Sequence, residues 1–433
     1  MKEKPVSEGK IGKIGVRPRE AMRPDPNFYS PELLSPAGDW SSLYSAVENG
    51  ADSVYFGIKN INMRHMASNF DLLELNKIMG YLHKKKVKGY LTLNTIISNS
   101  ELSKVEKILK AAKKAGVDAV ILWDMAVLRM AKELGLNIHI STQASVANFE
   151  SLKMYSDLGA KRIVLARECS LAEIKKIISR IEKEKIDCAV ETFIHGAMCV
   201  SISGRCFLSQ YTFGKSANKG QCLQPCRREF LITDKDGESQ YILGEDYVLS
   251  PKDLCSIDFI DELVDSGISS FKIEGRMRSA EYVKVVTSCY RKAIDACIKG
   301  KYTKKLKAEL KEELVKVFNR GFHSGFYFGK PYDDKSRRLQ HSYEKIFLGE
   351  VTRFFKKIGV AEIRLRTGSL SKGEQILFIG KSTPADSVKV DEIQSNNEFV
   401  KSAMKGETVG VKLPFVVKPK DKVFIWRRRD DEK

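Results

Sequence analysis

Short apolar runs alternate with longer amphipathic segments from Pro31 to about Arg278, and this alternation predicts a parallel β/α fold. Each run is rich in Val, Ile and Leu, and the segment after it has apolar positions at helical spacing. The predicted strands are Glu32–Ser35, Ser53–Phe56, Gly89–Asn94, Ala119–Trp123, Ile138–Thr142, Arg162–Ala166, Cys188–Phe193 and Ser270–Ile273. Several helical segments end at a glycine directly before a strand, as expected for a C-terminal cap.

Eight such units favour a closed, TIM-like β/α barrel over an open doubly wound sheet. The first strand is not followed by G-x-G-x-x-G, which weakens a dinucleotide-binding interpretation. In a barrel, the chemistry lies at the C-terminal ends of the strands. The polar residues predicted to lie there are Asn94, Asp124, Gln143, Arg167, His195, Glu274 and Arg276.

Four of the nine cysteines are grouped in an insertion, at about 196–250, between the seventh and eighth predicted strands. These are Cys199, Cys206, Cys222 and Cys226, with the spacing C-x6-C-x15-C-x3-C. Cytosolic proteins rarely keep disulfides, so grouped cysteines indicate a metal or redox site. The spacing alone leaves three alternatives open: an iron–sulfur cluster, a structural zinc ion, and thiols that pack or undergo redox exchange.

Other side chains near the insertion offer acid–base and anion-binding chemistry. Glu191 and His195, at the end of the seventh predicted strand, are candidate proton-transfer groups. Candidate clamps for a carboxylate or phosphate are Arg64, Arg167 and Arg276. Each of these residues also has a structural interpretation, as a satisfied strand-end group or a salt bridge. Cys199 with His195 as its base is the alternative nucleophilic site, whereas G-x-S-x-G and H-E-x-x-H are absent from the sequence.

The pattern changes towards the C-terminus. We predict a flexible basic leader at 1–29, a barrel domain with the insertion at 30–335, and a small β-barrel domain at 345–430. The last unit is predicted from alternating short strands with turns at Gly368, Gly373 and Gly406. It ends in three arginines, Arg427, Arg428 and Arg429.

The chain is strongly basic, with 74 Lys and Arg against 55 Asp and Glu and a formal net charge of +19. This excess favours a polyanionic partner such as RNA or DNA, because neutralised phosphates release counterions. A Lys-rich surface that only maintains solubility is the alternative. The sequence contains neither a bilayer-length apolar run nor a secretory signal, so we expect a cytoplasmic protein without a membrane partner.

The run ETFIHGAMC at 191–199, followed by Gly204-Arg205-Cys206 and Ser209, resembles the signature of the collagenase-like peptidase family U32. The resemblance extends over about residues 30–330. Supporting stretches are Leu34–Gly38, Asn62–Arg64, Ser141–Gln143, Gly220–Cys222, Pro225–Arg227 and Lys272–Arg276.

Better-understood branches of this family resemble oxygen-independent hydroxylases that act on tRNA, ribosomal RNA or the ubiquinone ring. The resemblance implies that the four grouped cysteines bind a 4Fe-4S cluster. Chain length and the appended β domain are similar to the tRNA branch, which implies formation of 5-hydroxyuridine at the wobble position with prephenate as co-substrate. The candidate catalytic residues are then Glu191, His195, Gln143 and Glu274. The candidate substrate-binding residues are Arg64, Asn94, Asp124, Arg167 and Arg276.

Two other functions stay open at this point. One is a true U32-type peptidase that uses a metal or Cys199, and the other is a non-catalytic RNA-binding protein with a structural metal. An electron-donor protein and assembly into a homo- or hetero-oligomer are compatible with the sequence.

Overall fold

The structure is a computed structural model that describes residues 30–59, 61–202, 205–228, 230–235, 240–243, 251–329, 343–381, 383–396 and 398–428. The predicted leader at 1–29, the predicted domain junction near residue 335 and Arg429 lie outside the described residues. The predicted insertion at 196–250 is described in part.

Up to Gly329 the described chain alternates strands with helices. The strands are β1 (Glu32–Ala37), β2 (Ser53–Gly57), β3 (Lys88–Leu93), β4 (Ala119–Leu122), β5 (Ile138–Ile140), β6 (Ala160–Val164), β7 (Ala189–Ala197), β8 (Phe230–Thr233), β9 (Gln240–Leu243), β10 (Asp253–Cys255), β11 (Ser270–Ile273) and β12 (Phe322–His323). The helices are α1 (Trp40–Glu48), α2 (Leu75–Lys84), α3 (Leu102–Lys114), α4 (Met125–Glu133), α5 (Phe149–Asp157), α6 (Leu171–Glu184), α7 (Leu208–Phe213), α8 (Ile260–Val264), α9 (Ala280–Ile298) and α10 (Lys304–Val315).

Strands β1 to β7 pair in parallel in chain order, and β11 closes the barrel because it pairs in parallel with both β7 and β1. Each predicted strand overlaps one of these eight strands, and the predicted bounds of Ser270–Ile273 are those of β11. The prediction of a TIM-like β/α barrel is confirmed. The carboxyl ends of its strands therefore meet at one mouth.

The insertion leaves the barrel after β7 and returns through β10. Strand β10 pairs antiparallel with the end of β7, and the pairs are Ala197 with Asp253, Gly196 with Leu254 and His195 with Cys255. β7 therefore runs past the barrel wall, and the two ends of the insertion are held together at its base.

The C-terminal unit is an antiparallel β domain. Its strands are β13 (Tyr343–Phe355), β14 (Val360–Leu365), β15 (Ser369–Ser371), β16 (Gln375–Ile379), β17 (Asp386–Lys389), β18 (Ile393–Ser395), β19 (Glu398–Val400), β20 (Ser402–Met404), β21 (Thr408–Lys412) and β22 (Lys422–Arg428). Eight of them form one sheet in the order β17-β16-β22-β13-β14-β21-β18-β19, and no pairing among the described residues joins its two ends. The predicted small β domain is thus present as a half-barrel around its own apolar core.

Ion pairs connect this domain to helix α9 of the barrel. Lys345 lies 2.6 Å from Glu281, and Lys284 pairs with Asp386. Within the β domain, Arg427 of β22 pairs with Glu344 of β13 at 3.0 Å. In the parts of the chain that the structure describes, no helix combines the length and apolar character needed to cross a bilayer.

Candidate active site at the barrel mouth

A cavity of about 140 Å³ lies at the barrel mouth and brings the grouped cysteines together with four other predicted site residues. Cys199, Cys206, Cys222 and Cys226 all line it. The other predicted residues in its wall are Arg64, Gln143, Arg167 and Glu274. Segments that are far apart in the sequence therefore contribute to one site, as in other barrel proteins.

The thiols of the insertion have similar local surroundings. The backbone amides of Ser201, Leu208 and Gln224 each donate to the sulfur of the cysteine two residues earlier, at 3.3 to 3.4 Å. Such donors stabilise thiolates and lower the charge density on cluster ligands. Burial raises the pKa of Cys226, and the neighbouring thiols raise it further, whereas Arg227 lowers it.

This donor set fits an iron–sulfur cluster. Four soft sulfur ligands face one cavity, and amides already point at three of them. Across the described residues, no three His, Cys, Asp or Glu side chains are close enough to share one metal ion. The thiols thus surround the cavity and do not converge on a single point.

The insertion is fixed to the barrel on both sides of the cavity. Lys219 donates to the carbonyl of Ile96 at 2.8 Å and pairs with Glu101 at 2.5 Å. Gly220 has a φ of +76°, and a Cβ there would lie 2.2 Å from the carbonyl oxygen of Asn62. On the other side, Arg205 donates to the carbonyl of Gln143 at 2.6 Å. The cysteines are therefore held on a supported surface.

Glu274 lies between two arginines on the cavity wall. Its carboxylate accepts hydrogen bonds from Nε and Nη2 of Arg64 at 3.1 and 2.9 Å, and Nη2 of Arg167 lies 3.8 Å away. Burial alone would raise the pKa of Glu274, but the two arginines outweigh it and hold the pKa below its ordinary value. Glu274 is therefore an anion at neutral pH. Its single negative charge balances only one of the two arginines.

Arg167 is further positioned by the chain that leads into the insertion. Its Nη1 donates to the carbonyl of Ala197 at 2.6 Å, and its guanidinium lies 3.9 Å from the centre of the Phe193 ring. Burial lowers the pKa of Arg167, with Glu274 opposing that effect. Its planar group is thus fixed at the cavity wall beside the cysteine loop.

Three predicted substrate-binding residues lie outside the cavity lining. Arg276 is buried and donates to Thr92 and to the side chains of Asn62 and Asn69, so it supports the loop after β2. Asn94 accepts from the amide of Met63 at 3.3 Å and donates to Ser141 at 3.2 Å. Asp124 caps α4 by accepting from the amides of Ala126 and Val127. In this structure all three support loops around the mouth.

Glu191 is buried in the barrel interior and does not line the cavity. It accepts from Lys272 at 2.8 Å, from Ser270 at 3.1 Å and from Arg162 at 3.2 Å. Arg162 in turn pairs with Glu32 at 2.7 Å, near the amino end of the barrel. The side chains of Glu191, Glu32, Lys272 and Arg162 therefore form one ion-pair network inside the barrel.

His195 also lies away from the cavity. It is on the outer side of the wall, where its ring packs against Tyr282 and Tyr290 of α9 and against Phe322. Its Nδ1 lies 3.2 Å from the hydroxyl of Tyr290. Burial, together with the positive charge of Arg278, lowers the pKa of His195 to about 3. His195 is thus neutral and separated from the thiol of Cys199.

We expect His195 to make the free energy of unfolding depend on pH. The unfolded chain protonates this residue below about pH 6.5, whereas the folded chain does so only near pH 3. Stability therefore falls as the pH drops through this window, by up to about 1.4 kcal/mol per pH unit. The variant His195→Gln removes that contribution, which urea unfolding at several pH values would measure. The exposed His83, changed to Gln, is the control, and an equal loss of slope in both variants would contradict the expectation.

Arg227 is a cavity residue that we did not select from the sequence. It lines the cavity and donates to the carbonyl of Met198 at 2.7 Å. Its only sequence signal is its place directly after Cys226 in a stretch that resembles the family. With it, the charged side chains of the lining are three arginines and one glutamate.

Comparison with known proteins gives the same family as the sequence motifs. The model of peptidase family U32 matches residues 38–337. A protein of Methanocaldococcus jannaschii named an uncharacterized protease is 45% identical over 91% of this chain and 98% of its own length. A collagenase of Porphyromonas gingivalis is 37% identical over 92% of this chain and 99% of its own.

A third relative carries a different name. The tRNA hydroxylation protein P1 of Bacillus subtilis is 39% identical over 61% of this chain and 63% of its own length. The shared stretch is thus shorter than for the two proteins named as proteases.

Proposed function

This chain belongs to peptidase family U32, and from the geometry of its site we propose that it is an RNA-modifying enzyme that forms 5-hydroxyuridine at the tRNA wobble position. The observation that carries the proposal is the cavity in which four cysteines face the Arg64–Glu274–Arg167 group. The B. subtilis relative named for tRNA hydroxylation supports the RNA substrate.

The four cysteines would hold a 4Fe-4S cluster, which supplies one-electron redox chemistry when it is bound. The amides that point at three of the sulfurs favour the thiolate form of these ligands. The arginines of the wall add positive charge, which favours the thiolates and an anionic co-substrate alike.

Prephenate, a dicarboxylate, is the co-substrate in this proposal. Apart from the cysteines, the charged side chains of the cavity lining are three arginines and one glutamate. Arg64 and Arg167 have planar groups suited to carboxylates, and both are already oriented by Glu274. The arginines are therefore the groups of the wall that would pair with the carboxylates of prephenate.

Replacing the hydrogen at C5 of uridine with a hydroxyl group from water releases two protons and two electrons overall, so the reaction needs an external two-electron acceptor, and one of the two protons leaves the carbon. Glu274 is ionised and lies on the cavity wall, so it is the group that we assign to accept this proton. The amide side chain of Gln143, on the same wall, is suited to a polar edge of the uracil ring.

The names of the two relatives that match over most of this chain raise a peptidase as the second candidate function. Its simplest form pairs Cys199 with His195. In the structure, Cys199 lines the cavity, whereas His195 packs against α9 on the outer side of the wall. The geometry therefore argues against a peptidase in which His195 activates Cys199.

The test is nucleoside analysis by mass spectrometry. We expect the anaerobically purified protein, given unmodified tRNA and prephenate, to produce 5-hydroxyuridine. The variant Glu274→Gln should keep its iron but lower kcat by about a hundredfold or more, because it removes the proton acceptor and the anion between two arginines.

Glu281→Gln is the matched control, because Glu281 is also a buried, ion-paired glutamate but lies in α9 outside the cavity. Its kcat should equal that of the wild type. Unchanged activity of Glu274→Gln would refute the role of Glu274. Cleavage of gelatin by a wild-type protein that leaves tRNA unmodified would establish the peptidase instead.

A further inference from the structure

Two aromatic side chains stand out on the insertion because they are almost fully exposed. Phe207 is 72% exposed and Tyr211 is 92% exposed. The amide of Tyr211 donates to the carbonyl of Phe207 at 2.8 Å, so the two residues are one helical turn apart and lie on the same face of α7. Large exposed aromatic groups are unusual on a surface without a partner.

The opposite face of α7 belongs to the cavity. Leu208 and Ser209 line it, and Cys206 directly precedes Phe207. The buried hydroxyl of Ser209 accepts from the amide of Leu223 at 3.0 Å, which ties α7 to the loop of Cys222. The exposed aromatic pair is therefore held at a fixed distance from the site.

The charged side chains of the segment that carries this pair have one sign. Residues 192–228 contain five Lys and Arg and no Asp or Glu. Arg205, Lys215 and Arg228 among them are exposed, and the guanidinium of Arg228 lies 4.6 Å from the centre of the Phe213 ring. A cationic surface with exposed aromatic rings matches an unpaired nucleic acid strand, in which phosphates and base faces are both accessible.

We propose that Phe207 and Tyr211 form a stacking platform for unpaired bases of an RNA loop, next to the nucleotide that enters the cavity. This inference rests on the proposed function for its RNA partner and adds the surface that recognises the loop. Stacking on aromatic rings tolerates any base, so the platform selects unpaired RNA and leaves the choice of the reacting base to the cavity.

The test compares two fluorescent RNAs, a stem-loop with an unpaired loop and a blunt duplex of the same composition, by anisotropy. Stacking contributes about 1 to 3 kcal/mol per base, so Phe207→Ala and Tyr211→Ala should each weaken stem-loop binding about fivefold or more. The double variant should lose about 25-fold or more, with duplex binding and the salt dependence unchanged. Tyr211→Phe, which keeps the ring, should bind as the wild type does.

Met154→Ala is the control, because Met154 is an exposed apolar side chain on α5, on the outside of the barrel. Lys215→Ala should instead reduce the salt dependence of binding for both RNAs. Wild-type stem-loop affinity in the double variant would overturn the platform, and so would failure of the wild type to bind the stem-loop. A double variant that changes only its sedimentation coefficient would identify the surface as a contact between copies of the chain, which also overturns the platform.

Binding and reaction are measured separately, so the two proposals can fail separately. Stem-loop binding through the platform without any hydroxylated nucleoside would refute the reaction and support the platform. Hydroxylation by the double variant with an unchanged KM would refute the platform and leave the reaction in place.

Discussion

The variant Cys222→Ala is expected to lose iron and sulfide and to show RNA hydroxylation reduced by more than about a hundredfold. Residues that only hydrogen-bond to metal ligands commonly contribute about 10- to 100-fold to metal affinity or activity, and a direct ligand contributes more. Cys222 lines the cavity with the three other thiols, and its sulfur accepts from the amide of Gln224. Iron and sulfide per chain, visible absorption and nucleoside analysis on protein prepared without oxygen would measure the effect.

Cys297→Ser is the matched control. Cys297 is a partly buried free cysteine in α9, outside the cavity, so its replacement should leave the iron content unchanged. Full iron content in Cys222→Ala would contradict the ligand assignment. A colourless wild-type protein with one zinc ion per chain would contradict the cluster and favour a structural metal.

Glu191→Ala is expected to lower the free energy of unfolding by about 3 to 5 kcal/mol, because it leaves the buried ammonium of Lys272 without its carboxylate and removes one of the two carboxylates of Arg162. The Glu191 side chain is completely buried, and Lys272 and Arg162 both form ion pairs with it. Urea unfolding at pH 7 measures the change. Activity per folded molecule should stay near that of the wild type, since Glu191 does not reach the cavity.

Two further variants separate charge from packing. Glu191→Met combined with Lys272→Met removes one charge of each sign and should restore most of the lost stability. Glu173→Gln breaks a surface pair with Lys176 and should change stability by less than about 1 kcal/mol. A stable Glu191→Ala variant without activity would instead support the sequence-based prediction that Glu191 transfers protons.

The barrel could be predicted from the sequence because its strands are buried on both faces and are separated by amphipathic helices. The β11 bounds follow from the run Ser270–Ile273 alone. The start of β6 is two residues earlier than predicted, since the exposed Lys161 interrupts the apolar pattern. The family resemblance is also confirmed by the match to residues 38–337.

The direction of side chains at the strand ends could not be predicted in the same way. In β7, Phe193 faces the cavity and His195 faces α9, although an uninterrupted strand would place both on one side. A register shift between Lys272 and Ile273 of β11 leaves Ile194 as an extra residue in β7. Such a bulge depends on tertiary pairing and has no local sequence signal here.

Which of the polar residues at the strand ends would line the cavity could not be predicted either. Gln143 and Glu274 follow different strands, and only barrel closure places them on one wall. Arg276 lies two residues after Glu274 and is also polar, but its guanidinium donates its hydrogen bonds to Thr92, Asn62 and Asn69. The residue types at the strand ends therefore predict where the site lies. The hydrogen bonds and ion pairs of each side chain determine whether it belongs to the site.

The antiparallel pairing of β7 with β10 has a consequence for maturation. The ladder that joins Ala197 to Asp253 and His195 to Cys255 consists of backbone groups and needs no cofactor. Because it already brings the ends of the long insertion together, much of the loop-closure entropy is lost when the barrel folds. We therefore expect the apoprotein to be folded before it receives iron and sulfide.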